Sequence, residues 1–586
     1  MRMERVEPDT ITFVCCLRGC SSMRAIEKGQ EMHVEVERLG LLDRDLIIGN
    51  VLLDMYVECG LHGFAKQIFY KLPIRDVASW TTLIAGYIDC EYNQNAIDLF
   101  EIMQSEGPSP DSTTYICRLK ACGSMKNMER GQEVHKEIER HLMDIDASIG
   151  NSLVEIYSKC GDIHNAKEVF EKLPEKDIVS WNTIATGYAE NGFGAEVLAL
   201  LQRMRMERVE PDTITFVCCL RGCSSMRAIE KGQEMHAEVE RLGLLDRDLV
   251  IGNVLLDMYV ECGLHGFAKQ IFYKLPIRDV ASWTTLIAGY IDCEYNQNAI
   301  DLFEIMQSEG PSPDSTTYIC RLKACGSMKN MERGQEVHIE IERHLMDIDA
   351  SIGNSLVEMY SKCGYFTDAK EVFEKLPEKD IVSWNTIATG YAENGFGAKV
   401  LALLQRMRME RVEPDTITFV CCLRGCSSMR AIEKGQEMHA EVERLGLLDR
   451  DLVIGNVLLD MYVECGLHGF AKQIFYKLPI RDVASWTTLI AGYIDCEYNQ
   501  NAIDLFEIMQ SEGPSPDSTT YICRLKACGS MKNMERGQEV HIEIELHLMD
   551  IDASIGNSLV EMYSKCGYFT LAWEVFDRLD VRDDST

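Results

Sequence analysis

No run of 18 or more apolar residues occurs in this 586-residue chain, so the sequence predicts no membrane-spanning helix. The chain has 24 cysteines but no C-x-x-C, which leaves any zinc constellation of that type incomplete. Positive charge is scarce. There are 59 Lys and Arg against 93 Asp and Glu, a formal net charge of −34 and a pI of about 4.8. Such a balance argues against a protein that holds nucleic acid by general attraction, which is usually basic. No linker, low-complexity tract or separate terminal domain is expected within the chain. The opening MRMERVEPD is neither a secretory signal nor an Arg/Ser-rich transit peptide. It has the form of the tail of a repeat, so the chain is expected to be a fragment or an incomplete product.

What is present is repetition in a globular composition, 46% hydrophobic and 26% charged. Met1, Met204 and Met407 each open MRMERVEPDTITF, a period of 203 residues. Each period divides again after an aspartate that closes a turn: Thr10–Asp45, Leu46–Asp76, Val77–Asp111, Ser112–Asp146, Ala147–Asp177 and Ile178–Asp212. Every unit carries two helical patterns and a break. In Ile178–Asp212, Trp181, Ile184, Ala185 and Tyr188 make one apolar stripe, Asn191-Gly192 interrupts it, and Ala195, Leu198 and Leu201 make a second. Pro211 then ends the unit. Units of this length and shape predict an all-α fold, a right-handed α-solenoid superhelix of 17 tandem two-helix repeats of 31–36 residues. The expected organisation is a remnant at 1–9, six-repeat blocks at 10–212 and 213–415, five repeats at 416–583 and a tail at 584–586.

The rhythm of 36, 31 and 35 residues resembles plant pentatricopeptide repeat proteins of the PLS subclass. SWNTIATGYAENG, NSLVEIYSKCGDIHNAKEVFEKLPEKD and GQEMHAEVERLGL carry the likeness, which covers residues 1–583. It makes Thr10–Asp45 and Ser112–Asp146 L repeats, Leu46–Asp76 and Ala147–Asp177 S repeats, and Val77–Asp111 and Ile178–Asp212 P repeats. It implies single-stranded RNA as partner, one nucleotide per repeat, read by two or three side chains. The fifth and last residues would choose the base. These are Asn50 with Asp76, Thr81 with Asp111, Asn151 with Asp177, and Asn182 with Asp212 in the first block. In the second block they are Asn253 with Asp279, Thr284 with Asp314, Asn354 with Asp380, and Asn385 with Asp415. Asn456 with Asp482, Thr487 with Asp517, and Asn557 with Asp583 follow in the third.

Asn offers both donor and acceptor to a base edge, and a short carboxylate can fix its neighbour. Asn182 lies beside the apolar stripe and is expected to point away from the core. In the family, Asn with Asp favours uracil and Thr with Asp favours guanine. Val14 and Ile116, at the fifth position of L repeats, cannot hydrogen-bond a base. The implied target is 5′-NUGNUUNUGNUUNUGNU-3′, read parallel to the chain. Ile47, Val179 and Val382 match the aliphatic position that sandwiches bases, whereas Ala78 and Ser148 are small. Lys159, Lys362 and Lys565 match a position near the RNA backbone, where Glu58, Asp89 and Glu190 do not. With so few cations the affinity should be weak and its salt dependence shallow, and a basic helper or editing factor is expected in trans.

Editing members of the family continue into E motifs and a deaminase-like domain with H-x-E and P-C-x-x-C. His33-Val34-Glu35 and His236-Ala237-Glu238 fit H-x-E only, inside L repeats. No metal, no cofactor and no enzymatic activity are expected. Trp80, Trp181, Trp283, Trp384 and Trp486 sit in apolar stripes and are expected in the core. Trp573 stands where the other copies have Lys167 and Lys370, and is expected to help pack the end of the array. The cysteines are expected to be buried, reduced thiols. The resemblance places the protein in a mitochondrion or chloroplast, positioning editing or processing machinery. The charge supports an alternative, an acidic protein-binding solenoid. The start, the stop and the near-identical copies support another, a truncated editing factor without activity.

Overall fold

A computed structural model describes residues 8–140, 146–344, 348–546 and 553–578. It contains 34 helices and no strand among the described residues. The helices come in consecutive pairs, so the chain is an all-α solenoid of tandem repeats. It divides into two units, Met1–Gly289 and Tyr290–Thr586.

In the first unit, each pair opens at an aspartate. Asp9, Asp45, Asp76, Asp111, Asp146, Asp177 and Asp212 accept a backbone N–H two or three residues on. An N-cap of this kind satisfies a donor that the first turn would leave unpaired. The first helix, such as Ile178–Glu190, runs to a reversal at Gly192, whose φ of 76° glycine adopts without cost. The second helix, Gly194–Met206, returns and lies against the next pair. A Cβ on Gly194 would collide with the Gly222 backbone, so these glycines let two helices meet closely.

Tryptophan marks the core. Trp181 is fully buried and meets Phe170 edge-on, with ring centroids 5.1 Å apart. Trp80 meets Phe69 in the same way at 4.8 Å. The second unit repeats the design: Asp380 and Asp415 cap helices Ile381–Glu393 and Thr416–Met429, and Trp384 packs edge-on to Phe373. Trp486 likewise meets Phe475. Trp573 differs from the expectation of packing. It is exposed and touches Phe576 with rings tilted. The thiols also differ in part. Cys219 and Cys422 are buried, but Cys15, Cys16, Cys293 and Cys496 are exposed, and no disulfide links the 24 cysteines.

Candidate nucleic-acid interface

The fifth residue of one repeat and the N-cap aspartate of the next meet. Asn182 Nδ2 donates to Asp212 at 2.8 Å, and its Oδ1 accepts from the Thr215 hydroxyl at 2.8 Å. Asp212 meanwhile accepts the Thr215 N–H at 3.0 Å. Capping and pairing are thus one arrangement: the cap holds the carboxylate where the asparagine can reach it. In the second unit Asn385 donates to both oxygens of Asp415 at 2.9 Å, and Thr418 donates to its carbonyl at 2.7 Å. Asn182 does not stand clear of the core as its sequence position suggests. It is 7% exposed because the amide is drawn into this cluster.

The other pairs vary on this theme. Asn50, Asn253 and Asn456 each donate at 3.1 Å to Asp76, Asp279 and Asp482. Asn151 and Asn354 help to lower the carboxyls of Asp177 and Asp380. The Ser180 backbone N–H holds the Asp177 carboxyl below the ordinary range against partial burial, helped by the Ser180 hydroxyl and Asn151. Asp380 is lowered in the same way, first by the Ser383 N–H. The threonine pairs are bridged. Thr81 meets the Thr114 hydroxyl at 2.9 Å, and Thr114 donates to Asp111 at 2.7 Å. Thr487, Thr520 and Asp517 repeat this chain at 2.8 and 2.6 Å. Thr284 lies in helix Val280–Asp292, and Asp314 caps helix Ser315–Ser327. Asn557 lies in helix Ala553–Lys565, but Asp583 falls outside the described residues.

Asn182 and Asp212 line a groove of about 510 Å³ with Val179 and Ile214. Asn385, Asp415, Val382 and Ile417 line its counterpart, about 380 Å³. Val179 and Ile214 are both about half exposed, 54% and 52%. Sequence reasoning found Val179, Val382 and Ile47 but missed Ile214 and Ile417, and also Val250 and Val453, the exposed copies of Ile47. Their signal was available, since all stand second after an N-cap aspartate.

The charge of the groove is also clear. Glu155, Glu190 and Asp212 face one lysine, Lys159, and Lys159 is paired to Glu155 at 2.6 Å. Lys362 and Lys565 are held by Glu358 and Glu561 at 2.8 and 2.7 Å. The three lysines that sequence assigned to phosphates are therefore half-neutralised along their own helices.

Comparisons with known proteins identify the repeat. The PPR repeat family pattern matches residues 75–124, 176–225, 278–327, 379–428 and 481–530. A second PPR repeat pattern matches 151–178, 354–381 and 557–583. A chloroplastic pentatricopeptide repeat-containing protein of Arabidopsis thaliana is 31% identical over 100% of this chain and 67% of its own length. The chain belongs to the pentatricopeptide repeat family. A second chloroplastic relative from Arabidopsis thaliana is 30% identical over 97% of this chain and 59% of itself. A mitochondrial one is 29% identical over 99% of this chain and 63% of itself. The chain thus spans 59–67% of the length of these relatives. Among solved structures, the maize pentatricopeptide repeat protein PPR10 superposes with a TM-score of 0.56 at 17% identity, over 98% of this chain and 89% of that one. PPR10 in complex with an 18-nt psaJ RNA element gives 0.55 at 21%, over 98% and 85%.

The remaining motifs of this pentatricopeptide repeat chain have structural uses. His33 Nδ1 lies 2.8 Å from the Tyr56 hydroxyl, and Glu35 of the same H-x-E pairs with Arg38 at 2.7 Å. His236 meets Tyr259 at 2.7 Å, and Glu238 binds Arg205. No group of three metal-ligating side chains occurs among the described residues.

Proposed function

We propose that this chain binds single-stranded RNA in a defined register, one nucleotide per helix pair, with the target 5′-NUGNUUNUGNUUNUGNU-3′. The observation that carries the reading is the recurrent meeting of a fifth-position Asn or Thr with the next N-cap aspartate, directly at Asn50, Asn182, Asn253, Asn385 and Asn456 and through one hydroxyl at Thr81 and Thr487. At Asn182 and Asn385 it forms the wall of a groove flanked by exposed aliphatics. An amide and a carboxylate offer hydrogen bonds to a base edge, and Val179 with Ile214 offers apolar contact to its faces. The solved complex of PPR10 with an RNA element supports the partner class. Relatives named chloroplastic or mitochondrial support an organellar location. In this reading the protein positions editing or processing machinery supplied in trans, and the pairing of Lys159, Lys362 and Lys565 with glutamates is why a basic helper is invoked.

Titration of the full chain with this RNA, its complement and a version with G and U exchanged tests the reading. The first should bind at least about tenfold more tightly, since each positioned base contact contributes roughly 1–3 kcal/mol. Asn182→Thr with Asn385→Thr should move the preference from U to G at two nucleotides. Equal affinity for all three RNAs would instead favour the acidic scaffold, which the net charge of −34 and the carboxylates of the groove support.

A further inference from the structure

Three of the reading asparagines, Asn50, Asn182 and Asn385, have a second partner three residues after the aspartate, whereas the carbonyls of Asn151, Asn253, Asn354 and Asn456 are buried without one. Thr215 is 1% exposed and its hydroxyl donates to the Asn182 carbonyl; Thr418, equally buried, does the same to Asn385. Ser79 donates to the Asn50 carbonyl at 2.7 Å. Among the threonine readers, Thr114 and Thr520 are the hydroxyls that Thr81 and Thr487 touch. The sequence follows the same rule. A fifth-position Asn or Thr is followed by Ser or Thr at this site, as in Asn151 with Ser180. A fifth-position aliphatic is followed by isoleucine, as in Val14 with Ile48 and Ile116 with Ile149. The two positions are matched in polarity throughout the three blocks.

The chemistry of the clamp is specific. A carboxylate only accepts, so it binds the amino side of the amide. A hydroxyl donor on the other side binds the carbonyl. Together Asp212 and Thr215 fix the plane of the Asn182 amide, with its oxygen turned inward to accept from Thr215 and its second N–H remaining. Uracil O4 accepts such a donor; the amino group of cytosine at the same place opposes it.

We propose that Thr215 and Thr418 are positioning residues that hold the reading asparagine with its donor outward, and so make these repeats prefer uracil to cytosine. Without the hydroxyl, the carbonyl loses its partner inside the protein and turns to accept from cytosine. This inference rests on the RNA-reading function above.

The test uses the full chain and RNAs carrying U or C opposite Asn182 and Asn385, with a U-to-C change opposite Asn50 as internal reference. Thr215→Val with Thr418→Val should lower the U-over-C affinity ratio about 5-fold at each site, the worth of one net hydrogen bond, and about 25-fold at both. The ratio opposite Asn50 should stay unchanged. Thr215→Ser with Thr418→Ser should retain the wild-type ratio, and the alanine pair repeats the loss should valine prevent folding. An equal loss of U and C binding, with the ratio kept, overturns the inference and leaves the hydroxyl a structural role only. A wild-type chain that shows no uracil preference opposite Asn182 fails earlier, and identifies the RNA-reading function itself as the error.

Discussion

Two polar seams join successive helices, and they differ in what they leave over. At one, Asn182, Asp212 and Thr215 meet beside a groove walled by exposed Val179 and Ile214. At the other, a histidine on the second helix of one pair meets a tyrosine on the first helix of the next. His33 with Tyr56, His135 with Tyr157 and His338 with Tyr360 are examples, at 2.8, 2.8 and 2.7 Å. Both seams recur through the chain, so recurrence does not separate function from packing. Surroundings do. In the histidine seam the buried Tyr56 stacks on Phe64 at 5.4 Å, and its hydroxyl is met by the His33 Nδ1. The asparagine seam stands at a groove beside the half-exposed Val179 and Ile214.

Acid should separate the two seams most strongly, because it acts on six histidines together. Burial pushes His33, His135, His236, His338, His439 and His541 below their ordinary value of 6.5. The glutamate one turn on, such as Glu37 beside His33, opposes this without cancelling it, and Lys71 adds to it. The unfolded chain therefore binds more protons than the folded one below pH 6.5. The stability from neutral histidine is complete above that pH and is lost as pH falls through and below it. Asp177 and Asp380, lowered from 3.8, keep their contribution until the pH falls below that value. The urea midpoint should fall between pH 7.5 and 5.5 while the aspartate caps stay charged. An unchanged midpoint over that interval would remove the distinction. A single-site break comes next in size. Tyr56→Phe strips His33 of its hydroxyl partner and should cost about 1–3 kcal/mol. RNA affinity should be untouched, and a parallel loss of binding would show that the seams are not separate.

Much of this was legible in the residues. The period, the helix pairs, the aspartate starts and the buried tryptophans follow from apolar spacing and from turn chemistry that acts locally. The pairs Asn50 with Asp76 and Asn182 with Asp212 were legible only through family resemblance, because they join residues 26 and 30 positions apart. The third partner was not read. Thr215 looks like an ordinary helix-start threonine, and its hydroxyl is assigned to Asn182 only by the packing of one pair on the next. Ile214 and Ile417 were missed although they stand second after an N-cap aspartate, as Val179 does; the packing of the facing helix makes them the other wall of the groove. The lysines differ again. Lys159 lines the groove, but Glu155 four residues earlier on the same helix captures it, and that spacing was visible in the sequence.

That capture gives the smallest expected effect and the finest test of the groove. A free cation at a phosphate adds about 0.7 to the slope of log affinity against log salt for single strands. Lys159 enters the complex already paired to Glu155, so part of the ion release that would produce this slope has been forgone. Lys159→Met should therefore flatten the slope by less than about 0.7. Glu155→Gln frees the same lysine and should steepen it, with tighter RNA binding at low salt. The two variants move the slope in opposite directions without altering Asn182, Asp212 or Thr215. If both leave the slope unchanged, the phosphate path does not run past Lys159, and the groove recognises bases without a cation beside it.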